Sequence, residues 1–447
     1  MSGLVGGAFL FRSSRGEAPT VPFSAALLRG LAPDGGLYVP LEWPHLEPED
    51  FAGLEQLPAL AARLLAPFLN EDRLRPMLPA IAAEAFDFPA PLVPLAADDA
   101  LSVLELFHGP TAAFKDFGAR FLAACFARLR ADEPQTLTIL VATSGDTGGA
   151  VAAAFHARAG VQVAVLFPKG LVSPTQERQL TCWGGNVRAL RVRGTFDDCQ
   201  RLVKAAFLDP ALTAQRALSS ANSINLGRLL PQSVYYAAAS LAIWRRHREP
   251  ACFIVPSGNL GNVLACLWAR RVGLPIGEVV LAHNANRTVP DFFASGEWRP
   301  RPSIATLASA MDVGDPSNME RLRALYPDIG ELRATVSAYS VSDEQIRARI
   351  RSGYHEYGQV WCPHTATAAE VWERLPPARR RGRRWVLVST AHPAKFRELI
   401  EPLIGHEVPL PETLARLLAR PVECIEIDAT LAALRAALAG EKTAWKI

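Results

Sequence analysis

Short apolar runs alternate with amphipathic stretches along most of the chain after residue 95. Continuous runs of Val, Ile, Leu and Ala are typical of strands that are buried on both faces of a parallel sheet, and helical stretches follow most of these runs. The pattern therefore predicts an α/β fold with mainly parallel sheets, in which ligands bind beyond the carboxyl ends of the strands. The predicted strands are residues 101–107, 137–143, 161–167, 187–192, 252–255, 279–282 and 385–390.

The segment before residue 95 has a different pattern, with an extended start followed by helical stretches rich in Ala and Leu. Prolines spaced through residues 88–94 remove backbone donors and disfavour helix, so we expect a domain boundary there. We predict a mostly helical N-terminal domain at 1–95 and a small α/β domain at 136–225. A large domain would combine 96–135 with 226–447 and carry a largely helical insertion at about 290–380.

The composition is that of a globular protein with two or three domains: 447 residues, of which 49% are hydrophobic and 20% are charged. The formal net charge of +3 is small for this length, so we expect no nucleic-acid partner. The basic cluster at 379–384 could be read as a nucleic-acid patch. A solvated loop that leads into the apolar run 385–390 explains the cluster more simply.

Seven cysteines are scattered along the chain without a Cys-x-x-Cys pair or the spacing of a zinc site. This arrangement indicates reduced thiols and no bound metal. The sequence shows neither the pattern of a signal peptide nor an apolar run of roughly 18 residues. We therefore expect a soluble, cytoplasmic protein that has no membrane partner.

Lys115 is one of six lysines in a chain that has 41 arginines, and it lies in Phe107-His-Gly-Pro-Thr-Ala-Ala-Phe-Lys-Asp-Phe-Gly118. A predicted strand precedes this segment, and apolar residues at helical spacing follow it from 116 to 129. Lys115 thus lies at the entry to a helix, where the positive backbone potential favours a neutral amine. A neutral lysine, unlike arginine, can form a Schiff base with an aldehyde, although most lysines are simply exposed surface residues.

Two further strand-to-helix loops are rich in glycine and small polar residues: Ala142-Thr-Ser-Gly-Asp-Thr-Gly-Gly-Ala150 and Pro256-Ser-Gly-Asn-Leu-Gly-Asn262. Glycine lets the backbone approach a ligand closely, and free N–H groups at the start of a helix bind anions. Neither loop has the pattern of a dinucleotide loop or a P-loop, and either one alone is equally well explained as an ordinary turn. The two loops together predict binding of two anionic groups.

A fourth junction, Thr390-Ala-His-Pro-Ala-Lys-Phe396, follows the last predicted strand. Thr390 could hydrogen-bond to a ring nitrogen, whereas His392 and His108 could each be a base or have only a structural role. A Schiff-base lysine, a phosphate cradle and a carboxylate site are together what pyridoxal 5'-phosphate chemistry requires. A serine hydrolase is disfavoured because the chain has no Gly-x-Ser-x-Gly motif.

These segments, together with Ser13-Ser-Arg-Gly16, Asp34-Gly-Gly-Leu-Tyr-Val-Pro40 and Ser220-Ala-Asn-Ser-Ile-Asn225, resemble the threonine synthases. That family consists of pyridoxal-phosphate enzymes with the tryptophan synthase beta-like fold, also called fold type II. The resemblance runs from the N-terminus to about residue 400, with Ser14 in place of an expected threonine. The tail beyond residue 400 matches weakly, which leaves its role open.

The resemblance implies a carbon-oxygen lyase that acts on a phosphate ester, with Lys115 as its catalytic residue. The implied substrate is O-phospho-L-homoserine, which reacts with water to give L-threonine and phosphate in the last step of threonine biosynthesis. The implied cofactor-binding residues are Lys115, Phe114, Asp146, Ser257, Gly258, Asn259, Leu260, Gly261, Asn262 and Thr390. The implied substrate-binding residues are Ser144, Gly145, Asp146, Thr147, Lys169, Arg178, Ser220, Asn222 and Arg228.

Within the implied substrate site, residues 144–147 would bind the carboxylate, and groups such as Lys169, Arg178, Asn222 and Arg228 would meet the phosphate. In the implied mechanism the freed amine of Lys115 removes the Cα proton and then shuttles a Cβ proton. Phosphate leaves from Cγ, and water adds to Cβ.

Two alternatives stay open from the sequence. One is a phospholyase or hydroxy-amino-acid dehydratase of the same fold and cofactor, which would end in an oxo acid and ammonia. The other is a noncovalent phosphate-ligand-binding protein without catalytic activity. The sequence also leaves open whether the protein is a monomer or a homodimer.

Overall fold

The computed structural model describes residues 7–95 and 98–439. Its strands form two large sheets and one two-stranded sheet. The strands are β1 (Phe11–Ser13), β2 (Tyr38–Pro40), β3 (Leu92–Leu95), β4 (Asp98–Glu105), β5 (Leu137–Ala142), β6 (Val161–Pro168), β7 (Val187–Arg193), β8 (Ala217–Ser220), β9 (Ala251–Pro256), β10 (Ile276–His283), β11 (Val336–Ser340), β12 (Arg384–Ser389) and β13 (Ile425–Asp428).

The larger sheet has the order β11-β10-β9-β12-β4-β3, and the smaller sheet has the order β13-β7-β6-β5-β8. All pairings within these two sheets are parallel except that of β3 with β4. The short strands β1 and β2 pair antiparallel in the N-terminal region. Parallel strands end at the same edge of a sheet, so the loops that follow them can share one ligand site.

Helices connect the strands and cover the sheets. They are α1 (Phe23–Arg29), α2 (Leu57–Leu65), α3 (Leu78–Ala85), α4 (Lys115–Leu129), α5 (Asp146–Phe155), α6 (Pro174–Thr181), α7 (Phe196–Phe207), α8 (Pro210–Gln215), α9 (Leu226–Leu229), α10 (Ser233–His247), α11 (Gly261–Arg271), α12 (Thr288–Ser295), α13 (Met319–Leu325), α14 (Ile329–Thr335), α15 (Asp343–Tyr357), α16 (Pro363–Arg374), α17 (Pro377–Arg380), α18 (Arg397–Ile404), α19 (Glu412–Leu418) and α20 (Leu431–Ala439). Short 3-10 helices occur at Pro48–Phe51, Ala66–Leu69, Arg75–Met77, Leu230–Gln232, Ser309–Met311 and Pro393–Phe396.

The strands are buried on both faces, as their continuous apolar sequences predict. In β9, Phe253 and Val255 face one hydrophobic cluster, whereas Cys252 and Ile254 face another. Side chains alternate between the two faces of a strand, so an unbroken apolar run serves two cores at once. One of these cores is shared by the N-terminal helices and by one face of each large sheet, which joins the sheets into a single body.

The structure confirms the α/β class and all seven predicted strands, with shifts of at most three residues at their ends. The predicted helix from residue 116 is α4, which begins one residue earlier, at Lys115. The proline-spaced segment contributes β3, so it begins the larger sheet and does not only link two domains. The region 290–380 is mostly helical, as expected, but it also supplies the edge strand β11.

The tail beyond residue 400 differs from the prediction that assigned it to the large domain. β13 pairs with β7 at the edge of the smaller sheet, and α20 packs on that sheet. Lys169 and Arg193 of the smaller sheet form ion pairs with Glu426 of β13. The division into three domains stays a prediction, but the strand pairing places residues 425–428 with the small unit.

None of the helices in residues 7–95 and 98–439 is both long enough and apolar enough to span a bilayer.

Candidate active site

A pocket that is partly open to solvent lies where the carboxyl ends of the two large sheets meet. Ala142 ends β5, Pro256 ends β9 and Thr390 follows β12, and all three residues line this pocket. Parallel α/β sheets bind ligands at this position. Three of the four junctions that the sequence predicts to carry chemistry therefore converge on one cavity.

Lys115 lies at the floor of the pocket as the first residue of α4. A turn fixes its position: Thr111 donates from its backbone N–H and its hydroxyl to the carboxylate of Asp116, at 2.8 and 2.6 Å. The backbone N–H of Phe114 donates to the carbonyl of Thr390 at 2.9 Å. The first two bonds hold the turn itself, and the third joins the lysine segment to the loop after β12.

The pocket makes the amine of Lys115 easier to deprotonate. Burial is the largest influence and lowers its pKa from 10.5 to about 8. Asp146 opposes this effect by favouring the ammonium, whereas the nearby cations Arg228 and Lys395 favour the neutral amine. Part of the Lys115 population is therefore neutral near physiological pH, and the cause is desolvation together with nearby cations.

The loop between β9 and α11 presents a row of free backbone donors. Among the described residues, no acceptor meets the N–H groups of Gly258 to Asn262. Side chains fix the loop: Ser257 donates to Asn262 at 2.7 Å, and Asn262 donates to the carbonyl of Pro256 at 2.9 Å. Unpaired amides at the start of a helix form a site for a phosphate group.

The conformation of Leu260 is unusual for a branched side chain, because its φ angle is 62°. A left-handed backbone at a non-glycine residue carries strain and is concentrated at functional sites. Here it turns the loop so that the N–H groups beside it stay unpaired at the entry to α11. The hydroxyl of Ser223 accepts from Asn259 at 2.7 Å and supports the loop from the neighbouring segment.

The loop between β5 and α5 forms a second set of free donors. The hydroxyl of Thr143 accepts from the N–H groups of Gly145 and Gly148 at 3.0 and 2.9 Å. Among the described residues, no acceptor meets the N–H groups of Ser144, Asp146 and Thr147. This loop can therefore bind a second anion, such as a carboxylate, opposite the phosphate cradle.

Asp146 is the only acidic residue among the described pocket-lining residues, and it is ionised. Burial alone would raise its pKa, but Lys395 and Lys115 lower that pKa well below the usual value. Lys395 lies 2.6 Å from the carboxylate, and Gln176 donates to the same oxygen at 3.0 Å. Lys395 and Gln176 thus hold the charged carboxylate of Asp146 in place at the start of α5.

Two buried basic side chains also line the pocket. Arg228 is 2% exposed, and its guanidinium donates to the carbonyl of Ala221, while its Nε has no hydrogen-bond partner in the part of the chain that the structure describes. His364 is also 2% exposed, and its Nε2 lacks a hydrogen-bond partner among the described residues. Burial lowers the pKa of His364 to about 4, so its ring is neutral near physiological pH.

Every predicted cofactor-binding residue lines this pocket. Of the predicted substrate-binding residues, the lining includes Ser144, Asp146, Thr147, Asn222 and Arg228. Gly145 lies in the loop before α5, Ser220 is the last residue of β8, and both are close in sequence to lining residues. Gly145 has a φ of 141°, and the hydroxyl of Ser220 accepts from the N–H of Asn222 at 3.2 Å.

Lys169 and Arg178 do not line the pocket. Lys169 is half-exposed and forms an ion pair with Glu426 at 2.9 Å. Arg178 donates to the backbone carbonyls of Leu418 and Arg420, both at 3.0 Å. Both side chains hold the C-terminal tail against the small unit, and their contact with a substrate phosphate stays a prediction.

The two ambiguous histidines have structural partners. His392 accepts from the N–H of Ala394 at 3.1 Å and caps a 3-10 helix, and His108 pairs with Glu105 at 2.8 Å. Neither lines the pocket. Reasoning from the sequence missed His364, Gln232 and Met311, which do line it. His364 follows Cys362 and Pro363 at a helix start, a signal too general to single it out.

Three family models match consecutive and overlapping parts of the chain. They are described as the N terminus of threonine synthase at residues 10–86, as pyridoxal-phosphate dependent enzyme at 86–391, and as the C-terminal part of threonine synthase at 365–438. The last match covers β13 and the helices around it, so the tail beyond residue 400 is also similar in sequence to that family.

Individual proteins match over nearly the whole length. The chain is 40% identical to a threonine synthase of Serratia marcescens, over 94% of this chain and 96% of that protein. It is similar to the crystal structure of Escherichia coli threonine synthase, with a TM-score of 0.88, 37% identity and coverage of 96% and 99%. It is also similar to a pyridoxal-phosphate-bound threonine synthase from Brucella melitensis, with a TM-score of 0.87, 35% identity and the same coverage.

Proposed function

The chain belongs to the threonine synthase family of pyridoxal-phosphate-dependent enzymes, and from this we propose how its own residues carry out the family reaction. The reaction converts O-phospho-L-homoserine and water into L-threonine and phosphate. In the course of it Cγ loses phosphate and gains a hydrogen, while Cβ gains a hydroxyl group. The protein must therefore hold two anionic groups and move protons among three neighbouring carbon atoms.

The residues of the pocket fit pyridoxal phosphate. The free N–H groups of Gly258 to Asn262 suit its phosphate, the amine of Lys115 suits its aldehyde, and the hydroxyl of Thr390 suits its ring nitrogen. We propose that Phe114 and Asp146 complete its surroundings. When bound, the cofactor supplies an electron sink that stabilises negative charge at the substrate α-carbon.

Lys115 is proposed to be the proton carrier of the reaction. Desolvation in the pocket lowers the pKa of its amine to about 8, so the amine can accept and return a proton near neutral pH. The amine would take a proton from Cα and pass it on before it takes a second proton from Cβ as phosphate leaves Cγ. One proton would then be returned to Cγ and one to Cα, while water would give its hydroxyl to Cβ and its remaining proton to the released phosphate.

The substrate is proposed to bind through its two anionic groups. The free N–H groups of Ser144, Asp146 and Thr147 support a carboxylate site at the start of α5. Arg228 and Asn222 line the same pocket and support a phosphate site on the other side of the substrate. A small-molecule substrate that is held at both ends keeps its central carbons beside Lys115.

We propose that the protein has no nucleic-acid partner. Four of the five arginines of the 379–384 cluster form ion pairs within the protein: Arg379 and Arg383 with Glu278, Arg380 with Glu373, and Arg384 with Glu249. A cluster that is already paired with carboxylates offers little free charge to a polyanion.

The half-buried Lys115, in the same pocket as the unpaired amide loop 258–262, is the observation that carries the proposal. The test is to supply purified protein with O-phospho-L-homoserine and to measure threonine, 2-oxobutanoate and phosphate together. Threonine in a one-to-one ratio to phosphate supports the synthase. Release of 2-oxobutanoate and ammonia without threonine would instead identify a phospholyase of the same fold.

A further inference from the structure

Lys395 and Asp146 form an ion pair at the edge of the pocket. The ammonium of Lys395 lies 2.6 Å from the carboxylate of Asp146, and the two side chains are 0% and 2% exposed. No other ion pair between described residues has both side chains so deeply buried. Most surface ion pairs contribute little, whereas a buried charge requires a partner.

The ion pair is also linked by a hydrogen bond to the backbone near Lys115. Lys395 also donates to the carbonyl of Thr111 at 3.0 Å, in the turn that holds Lys115. The same carbonyl accepts from Gln179 of α6 at 3.0 Å. Lys395 thus connects three segments: the loop after β12, the lysine turn and the start of α5.

The charged groups around Lys115 come from several elements. Asp146 lies at the start of α5, Asp116 on α4, Arg228 on α9, His364 on α16 and Lys395 in the 3-10 helix after β12. Asp146 is the anion that favours the ammonium form of Lys115. Because Lys395 lies directly on Asp146, its positive charge offsets much of the attraction that Asp146 would exert on Lys115.

We propose that Lys395 is a positioning residue that serves as the counter-ion of Asp146 and thereby leaves the Lys115 amine free to bond to the cofactor aldehyde near neutral pH. The inference rests on the proposed role of Lys115. It assigns a task to a lysine of the Thr390–Phe396 motif that does not line the pocket. Lys395 acts through Asp146 and does not contact the reacting atoms.

The experiment measures how pH affects the bonding of pyridoxal 5'-phosphate to Lys115. Full-length protein is freed of cofactor and mixed with pyridoxal 5'-phosphate over a range of pH, and the rate of attachment is followed by the absorbance of the bound cofactor. The proteins compared are the wild type, Lys395→Met, Asp146→Asn and the double variant. Lys204→Met is the matched control, because Lys204 is exposed on α7 and does not line the pocket.

The midpoint of the wild-type profile is expected near pH 8. In Lys395→Met, Asp146 has lost its nearest cation and attracts Lys115, so the midpoint rises by about one pH unit and attachment at pH 7 slows about tenfold. In Asp146→Asn, the unpaired Lys395 repels the Lys115 ammonium, so the midpoint falls below that of the wild type. The double variant lies above Asp146→Asn and below Lys395→Met, and Lys204→Met matches the wild type.

A midpoint in Lys395→Met that equals the wild-type value would overturn the inference, even if the variant were less stable, since only a structural role would be left. If Lys395→Met does not fold, the comparison of Asp146→Asn with the double variant decides, because the inference requires the double variant to have the higher midpoint. If wild-type protein attaches no cofactor at Lys115, the proposed function itself fails. That result is distinct from an unchanged midpoint.

Discussion

The backbone of Met311 closes over Gly258, so that a Cβ at position 258 would lie 2.6 Å from the Cα of Met311. Both residues line the pocket, Gly258 in the amide-rich loop and Met311 in the segment that faces it. The absence of a side chain at position 258 therefore allows two stretches of backbone to approach from opposite sides. This contact sets the shape of the proposed phosphate cradle.

Gly258→Ala should weaken cofactor binding, because the new methyl group must displace the backbone around Met311. Overpacking of this kind costs about 1–3 kcal/mol, which corresponds to roughly a tenfold to hundredfold rise in the dissociation constant. Equilibrium titration with pyridoxal 5'-phosphate measures the change. Gly149→Ala is the control, since its Cβ would meet Gln179 at an ordinary 3.5 Å. Equal affinities in the two variants would contradict the assignment of the cradle.

Thr143→Val should loosen the second anion loop. The hydroxyl that accepts from Gly145 and Gly148 is lost, and two buried N–H groups remain without an acceptor. We expect the free energy of unfolding to fall by about 1–3 kcal/mol and KM for the substrate to rise more than kcat falls. Denaturant unfolding and steady-state kinetics measure both quantities. Thr143→Ser keeps the hydroxyl and should resemble the wild type; a similar rise in KM in both variants would argue against this loop as the carboxylate site.

The stability of cofactor-free protein should depend on pH through Lys115. The pKa of this lysine is about 8 in the folded protein and near its ordinary value of 10.5 in the unfolded chain. Between these values the unfolded chain binds more protons, so the free energy of unfolding contributed by Lys115 rises as pH increases from about 8 to 10.5. Chemical denaturation of wild type and Lys115→Met at several pH values isolates this contribution. A difference between the two proteins that does not change with pH would show that Lys115 has an ordinary pKa.

Two arginines predicted to meet the substrate phosphate lie in different surroundings, and their variants should behave differently. Arg228→Gln removes a cation from the pocket lining and should lower kcat/KM by at least about tenfold, as expected for the loss of a charged hydrogen bond. Arg178→Gln removes donors to Leu418 and Arg420 and should mainly destabilise the tail. Kinetics and thermal unfolding of both variants separate the two effects. A larger fall in kcat/KM in Arg178→Gln than in Arg228→Gln would indicate that Arg178 binds the substrate phosphate.

Much of the fold could be predicted because the strands obey a local rule. An apolar run such as Cys252 to Val255 must be buried on both faces, and only a covered parallel sheet provides that environment. β13 was missed for the opposite reason: its sequence alternates Ile with Glu and Asp, and its place beside β7 depends on long-range pairing. Nothing local indicates which sheet accepts an edge strand.

In the candidate site, too, features with a local sequence pattern could be predicted and those set by long-range contacts could not. Loops with a distinctive composition were found, since glycine and small polar residues at strand ends favour free amides at helix starts. Charged residues were harder to place: Lys169 and Arg178 were predicted to meet the substrate, but each has a partner in the tail. The ion pair between Lys395 and Asp146 joins segments that are distant in the sequence, and no local sequence pattern predicts it.

The most direct test of the account is reduction of the cofactor-loaded protein with borohydride, followed by proteolysis and peptide mapping. The account predicts one pyridoxyl group per chain, attached to Lys115 in the peptide that contains Thr111 to Gly118. The fraction labelled should fall to background in Lys115→Arg, which keeps a positive charge but cannot form the bond. A pyridoxyl group on another lysine, or no stable label in a protein that still makes threonine, would contradict the account.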